Sequence, residues 1–302
     1  MGSDVLARRF LHVNLNCASL EATERLYAEG LGLSARMRTD PKVATDGSIL
    51  GIAGGETFCE TAFLYDTRGA RDGCALEAIE FFSPSLVRDP DTAPTRPGIR
   101  STLMWVADLD AAASALRDAG VTVGEPVDGL ISGTKAVLAA DPDGAIIELA
   151  QAPSDVDGAL FGGIRIAAID LEATARFLTA IGFVQSVTER VTVDSVECAV
   201  ARFGLPEDAD RFTVAVVEHP DTAGQDPVPW GGNRQGLYRC ALRVESVEKA
   251  LAAVPDWVEQ CGDPVWCPLP GTKIDGLYIA FLRSPDGVVF EFVERPLKFF
   301  SR

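Results

Sequence analysis

Four times along this chain a strand is followed by a capped helix and then by further strands, and this repetition limits the fold more than any single motif does. Two copies end in the same phrase. Asp141-Pro142-Asp143-Gly144 runs into Ala145-Ile146-Ile147-Glu148-Leu149-Ala150, and Ser284-Pro285-Asp286-Gly287 runs into Val288-Val289-Phe290-Glu291-Phe292-Val293. A Pro-Asp-Gly turn delivers the chain into a strand, whose alternation sets Glu148 and Glu291 on the face opposite their apolar neighbours. Two other copies share an opening: Ser19-Leu20-Glu21-Ala22-Thr23 matches Asp170-Leu171-Glu172-Ala173-Thr174, and Gly32-Leu33 matches Gly182-Phe183. Cap, apolar stripe and helix stop thus recur together.

Residues 9–16 alternate apolar and polar, the pattern of a half-buried strand, and the helix from Ser19 to about Leu31 follows. Strands are expected at 58–65 and 75–82, with a weaker one across 43–53, so the first module reads β-α-β-β-β. Proline-rich residues 83–98 connect it to a second module. That module has a strand at 99–106, a helix from Leu109 to Ala119, and strands at about 122–126, 134–140 and 145–150. Residues 151–161 and 219–236 are further connectors. The modules therefore span about 9–82, 98–150, 161–218 and 236–295, and the expected domains are 1–152 and 153–302, each a barrel built from its own two modules.

A chain of 302 residues is long enough for two such cores. Its formal charge of −17 excludes a basic stripe for nucleic acid. No apolar run reaches the length of a membrane span. Seven scattered cysteines, and the polar start Met1-Gly2-Ser3-Asp4, point to a reduced, cytoplasmic setting.

One face of the opening strand carries Phe10, His12, Asn14 and Asn16. A sheet that is polar inside and apolar outside is what a ligand cavity requires. Two readings of His12 stand side by side: a buried histidine satisfied by a neighbour, or a group facing a cavity and available to a metal. Ser101 and Trp105 share a face, as do Glu77, Ile79 and Phe81. Glu77 has a rival in Glu80, on the other face of the same strand.

On these strand-cap-helix openings and the two Pro-Asp-Gly-x-x-x-Glu strands, the chain resembles the vicinal oxygen chelate superfamily, the group of glyoxalase I, bleomycin-resistance proteins and extradiol dioxygenases. The resemblance covers essentially the whole chain. It implies an α+β fold in which four βαβββ modules pair into two half-open barrels, with metal ligands on the first and last strands of each module. Counting back seven residues from each helix cap gives the first-strand positions His12, Ser101, Gly163 and Arg239. The last strands offer Glu77, Glu148 and Glu291, and about Thr213 in the third module.

Carried onto this chain, the resemblance implies an N-terminal barrel whose metal ligands are His12, Glu77 and Glu148. The ion would be divalent (Zn²⁺, Mn²⁺, Ni²⁺ or Fe²⁺), with Glu77 or Glu148 moving a proton. Asn14, Ser101, Trp105 and Phe81 would touch substrate. A second cavity would hold Arg165, Arg239 and Glu291. There the guanidinium of Arg239 repels a cation and pairs with Glu291, and the arginines serve either an anionic ligand or structural ion pairs. The implied function is metal-assisted isomerase, epimerase or lyase chemistry on a small oxygenated substrate. The alternative is a metal-free binding or resistance protein for an aromatic or antibiotic-like ligand. Extradiol ring cleavage is disfavoured, because His219 is the only histidine of the second half and stands outside every ligand position. The duplication permits a monomer or a homodimer.

Overall fold

The structure, a computed structural model, describes residues 5–88, 92–208, 211–269, 271–272 and 276–295. The polar start Met1 to Asp4 lies outside the described residues. Each module opens with a strand: Arg9–Cys17, Gly98–Val106, Leu160–Ala167 and Gly236–Val244. In each, the opening strand runs parallel to the module's closing strand: Ala75–Ser83, Ile146–Gln151, Thr213–Glu218 and Val289–Glu294. The parallel pairing requires a crossover, which the helix supplies.

The helices form where the caps predict. Ser19, Asp108, Asp170 and Ser246 are all extended, and each accepts a backbone N–H three residues on. In the first module the α-helix Leu20–Glu24 widens into a π turn, Arg25–Gly30. A second set of caps comes from the closing strands. Glu80, Glu218 and Glu294 each reach back to the first helical N–H of their own module, on Leu20, Leu171 and Val247, at 2.7, 2.7 and 3.0 Å. Negative charge there also opposes the helix dipole. This settles the rivalry of Glu77 and Glu80, because Glu80 is committed to the helix.

Two short elements depart from expectation. Residues 43–53 give only the strand Thr45–Asp46 and a 3-10 turn, Gly47–Leu50, since glycines 47, 51, 54 and 55 interrupt any longer strand. Residues 122–126 contribute a single bridge, Val123 to Ala139, and the short strand falls at Val127–Asp128.

The sheets correct the assignment of one barrel to each half of the chain. The opening strands of modules one and four pair antiparallel, His12 opposite Ala241, and so unite these modules in a ten-stranded sheet. Those of modules two and three pair likewise, Arg165 opposite Ser101, in an eight-stranded sheet. The four modules thus form two curled half-barrels, but each barrel takes one module from either half. All four opening strands carry the same alternation and a free edge, so local sequence allows several pairings. Long-range contacts choose among them.

Four buried turn carboxylates then tie the two sheets to each other. Asp143 accepts the N–H of Ala18, and Asp286 that of Ile169, at 2.8 and 2.7 Å, tying module two to one and four to three. Asp66 accepts the N–H of Phe161, and Asp208 that of Phe10, at 2.9 and 2.8 Å, tying modules one and three reciprocally. Around these ties Phe10, Phe161, Phe183 and Phe212 pack in a shared core, with Phe10 and Phe212 centroids 4.2 Å apart.

Candidate functional site

The barrel of modules one and four brings together the ligand positions of both modules. His12 and Glu77 come from the first, Arg239 and Glu291 from the fourth. Arg239 donates from Nη2 to Glu77 Oε2 at 2.7 Å and from Nε to Glu291 Oε2 at 3.2 Å. His12 Nε2 faces the same two oxygens at 3.5 and 3.9 Å. All four residues are buried.

Above this polar floor lies a cleft enclosing roughly 630 Å³, its mouth included. Its walls are apolar, with Leu11, Phe63, Tyr65, Leu277, Ile279 and Phe281 prominent and Arg295 also lining it. Phe63 meets the His12 ring edge-on, centroids 5.4 Å apart. Leu11 and His12 are sequence neighbours, yet both reach the cleft. The pairing register shifts between Phe10 and His12, and such an irregularity re-aims side chains that regular alternation would send to opposite faces.

Burial dominates the electrostatics. It lowers the His12 pKa to about 4, assisted by the Arg239 and Arg295 charges and opposed by Glu291, so the imidazole is neutral at pH 7. Burial raises both Glu77 and Glu291 above the usual carboxylate range, and Arg239 only partly offsets it. Burial also pulls on Arg239, but Glu77 and Glu291 outweigh it and hold the guanidinium firmly charged. Two carboxylates thus share one permanent cation in a dry site. His12 Nε2 and Arg239 Nη1 are buried with no hydrogen-bond partner. Unsatisfied groups of this kind are costly unless something answers them.

The expected ligand set His12, Glu77 and Glu148 is corrected. Glu148 stands in the other sheet, where its carboxylate accepts the N–H groups of Ile131 and Ser132 at 3.1 and 2.8 Å and fastens the loop before its own hairpin. The expected second cavity also divides. Arg165 stays in the barrel of modules two and three, bonded to Ser101 Oγ at 3.0 Å and to the Pro94 carbonyl at 3.2 Å, while Arg239 and Glu291 belong to the first cleft. Burial lowers Arg165 to about 10.

Ligand positions in that second barrel are filled. A Cβ on Gly163 would stand 2.4 Å from the Thr213 carbonyl oxygen and 2.8 Å from Ile131, so only glycine fits. The third module's last-strand position is Ala215, opposite Arg165, rather than Thr213.

Among the expected substrate contacts, Asn14 is buried against Asn16 Oδ1 and the Glu77 carbonyl, at 3.0 and 3.4 Å. Asn16 in turn holds the connector at Gly232 and Arg234. The polar face of the first strand is thus partly a clamp for residues 232–234. Phe81 packs with Ile52 and Ile79, and Trp105 against the core of the other barrel, so neither walls the cleft. His219 accepts the N–H of Asp221 at 3.0 Å, beyond the end of its strand. Sequence reasoning missed Phe63, Tyr65, Ile279 and Phe281. The alternation of their strands supplied a signal, but only the pairing of modules one and four brings them together.

A divalent ion does not fit this arrangement. The oxygens it would need are already taken by a guanidinium, whose charge would repel it. Among the described residues no three of His, Cys, Asp or Glu are placed to hold an ion.

The family model described as Glyoxalase/Bleomycin resistance protein/Dioxygenase superfamily matches residues 9–149. Over those residues, just under half of its length, the chain is similar to that superfamily, and its later half carries the same modules. No curated protein matches the sequence. Among solved structures, glyoxalase I of Zea mays is similar with a TM-score of 0.69 at 19% identity, over 95% of this chain and 92% of that one. A putative dioxygenase of Bacillus subtilis is similar with a TM-score of 0.61 at 15% identity, over 96% and 86%. At these identities the likeness is one of fold.

Proposed function

We propose that the barrel of modules one and four is an acid–base active site for a small oxygenated substrate with an apolar body, of isomerase, epimerase or lyase type. The observation carrying this reading is the Arg239 guanidinium shared by Glu77 and Glu291 beside an unpartnered imidazole. On this reading one carboxylate acts in its ionised form and the other carries a proton. The ionised carboxylate takes a proton from the carbon next to a substrate carbonyl, and the electron pair moves onto the carbonyl oxygen. Arg239 Nη1 donates to that oxygen, a fixed dipole of the kind that stabilises developing charge in a dry site. The protonated carboxyl returns a proton to carbon, so the net change is a rearrangement without redox. Neutral His12 passes protons between the two carboxylates.

The partner is a small molecule. Both barrels are complete within one chain, so a second copy is not required to build the site. No helix among the described residues is long and apolar enough to cross a membrane.

Deuterium uptake tests the reading. In D₂O after exhaustive chelation, the protein should exchange the α-protons of some members of a panel of hydroxyketones and α-ketoaldehydes, and Glu77→Gln and Glu291→Gln should each slow this by at least about tenfold. Exchange that depends on added metal, or survives both substitutions, would contradict it.

The apolar walls support a second reading, a protein that sequesters an aromatic ligand without turnover. It predicts saturable binding that both glutamine variants retain, with no exchange.

A further inference from the structure

We infer that a cavity between the two sheets is a binding site for a small α-amino acid, whose carboxylate meets Arg234 and whose ammonium meets Asp143. This goes beyond the proposed reaction, because the cavity and the cleft share no lining residue.

The cavity lies where the opening strands of modules two and four begin, at Gly98 in the eight-stranded sheet and Gly236 in the ten-stranded one. It encloses roughly 690 Å³, its mouth included. Among the described residues its charged lining is Arg100, Asp143 and Arg234. Asp143 is only 6% exposed. Its Oδ1 accepts the N–H of Ala18 and the side-chain amide of Gln235, both at 2.8 Å, which fix the carboxylate in the wall. Its Oδ2 is buried and accepts nothing. Arg234 is half-buried, and its Nε is also buried without a partner. Among the described residues the Arg234 guanidinium enters no ion pair and donates no hydrogen bond.

A carboxylate and a guanidinium thus line one cavity without pairing to each other. Buried charges left in this way are costly unless something answers them. Burial raises the Asp143 carboxyl above its usual range, and the Gln235 and Ala18 hydrogen bonds with the Arg88 charge oppose it only in part. A cation at Oδ2 offsets that cost. Arg100, which donates to the Pro97 carbonyl at 2.6 Å, brings a second guanidinium to the lining for the ligand's anionic group. A simple anion would leave Asp143 unanswered, and a simple cation would leave Arg234 so. A carboxylate and an ammonium on one small carbon frame satisfy both.

The probes are the common L-α-amino acids, with acetate and methylammonium as single-charge controls, titrated calorimetrically into the full chain. At least one amino acid should bind saturably at millimolar concentration or below, with one site per chain, and neither control should bind at equal concentration. Arg234→Met and Asp143→Asn should each weaken binding at least about tenfold, the effect of losing a hydrogen bond between charged groups. The Arg234 guanidinium holds nothing else in the fold, so Arg234→Met should keep the wild-type circular dichroism and Tm. That variant carries the test even where Asp143→Asn loosens the tie to Ala18. Glu77→Gln, whose change lies in the cleft, should bind the same amino acid as wild type does.

Undiminished binding in Arg234→Met, loss of binding in folded Glu77→Gln, or acetate binding as tightly as the amino acid overturns the inference. So does the absence of any binding, the result if ordered water alone answers these groups.

Discussion

Arg239 and Glu77 are 162 residues apart and meet at 2.7 Å, across the junction between the first and fourth modules. Their contact joins the two ends of the chain and forms the floor of the cleft. Removing one partner of a buried ion pair strands the other charge, which typically costs ~3–5 kcal/mol. Arg239→Met, which leaves two carboxylates facing each other, should lower stability by about that amount. Urea unfolding at pH 7 would check it, and at pH 5 the loss should shrink as both carboxylates take up protons. An undiminished loss at pH 5 would show that packing, not charge, accounts for the effect.

His12 gives the cleft a defined dependence on acid. Its folded pKa is lowered to about 4 from 6.5. Between those values the unfolded chain binds the proton and the folded one does not, so this group's contribution is present above about 6.5 and is lost as pH falls toward 4. His12→Gln should remove that acid-side decline. The difference between wild type and variant in unfolding midpoints, measured from pH 4 to 7, is the readout.

Asp141 works in the opposite direction. Burial, with the charge of Asp143 adding to it, raises its carboxyl to about 7, against the hydrogen bonds from the Ala145 and Asp143 N–H groups and the Tyr27 hydroxyl. The folded state then holds a proton that the unfolded chain has released. Stability from this group is complete below about 4 and disappears as pH rises to about 7. Asp141→Asn, neutral throughout, should gain on wild type steadily across that window, and a constant difference would be the contrary result.

Asp286 should matter more than its place in a turn suggests. It accepts the Ile169 N–H at 2.7 Å and the Thr174 hydroxyl at 2.5 Å, fixing the third module's helix onto the fourth module. Asp286→Ala leaves the buried Thr174 hydroxyl and the part-buried Ile169 N–H unanswered, the buried one at ~1–3 kcal/mol. Thermal melts should show the loss. Thr174→Val, which removes one of the two, should cost less.

Gly163→Ala would separate the two barrels. Its Cβ meets the Thr213 backbone oxygen, which cannot turn aside, so overpacking of roughly 1–3 kcal/mol is expected. Ligand binding in the cleft of modules one and four should be unchanged at temperatures where the variant is folded.

The sequence alone determined the modules. Caps at Ser19, Asp108, Asp170 and Ser246, the period-two opening strands and the Pro-Asp-Gly turns are local features, and the caps formed where their residues dictated. It also predicted the pairing of Arg239 with Glu291, which the structure contains. What only the tertiary structure decided was which positions share a site. The four opening strands present similar alternating faces and free edges, so nothing within about ten residues of any one of them selects its neighbour. The selection is made between residues far apart along the chain, with His12 pairing opposite Ala241 and Arg239 meeting Glu77 162 positions away. That choice moved Glu148 into a structural role and placed Arg239 between Glu77 and Glu291, because hydrogen bonds and charges act over a few ångströms whatever the separation along the chain.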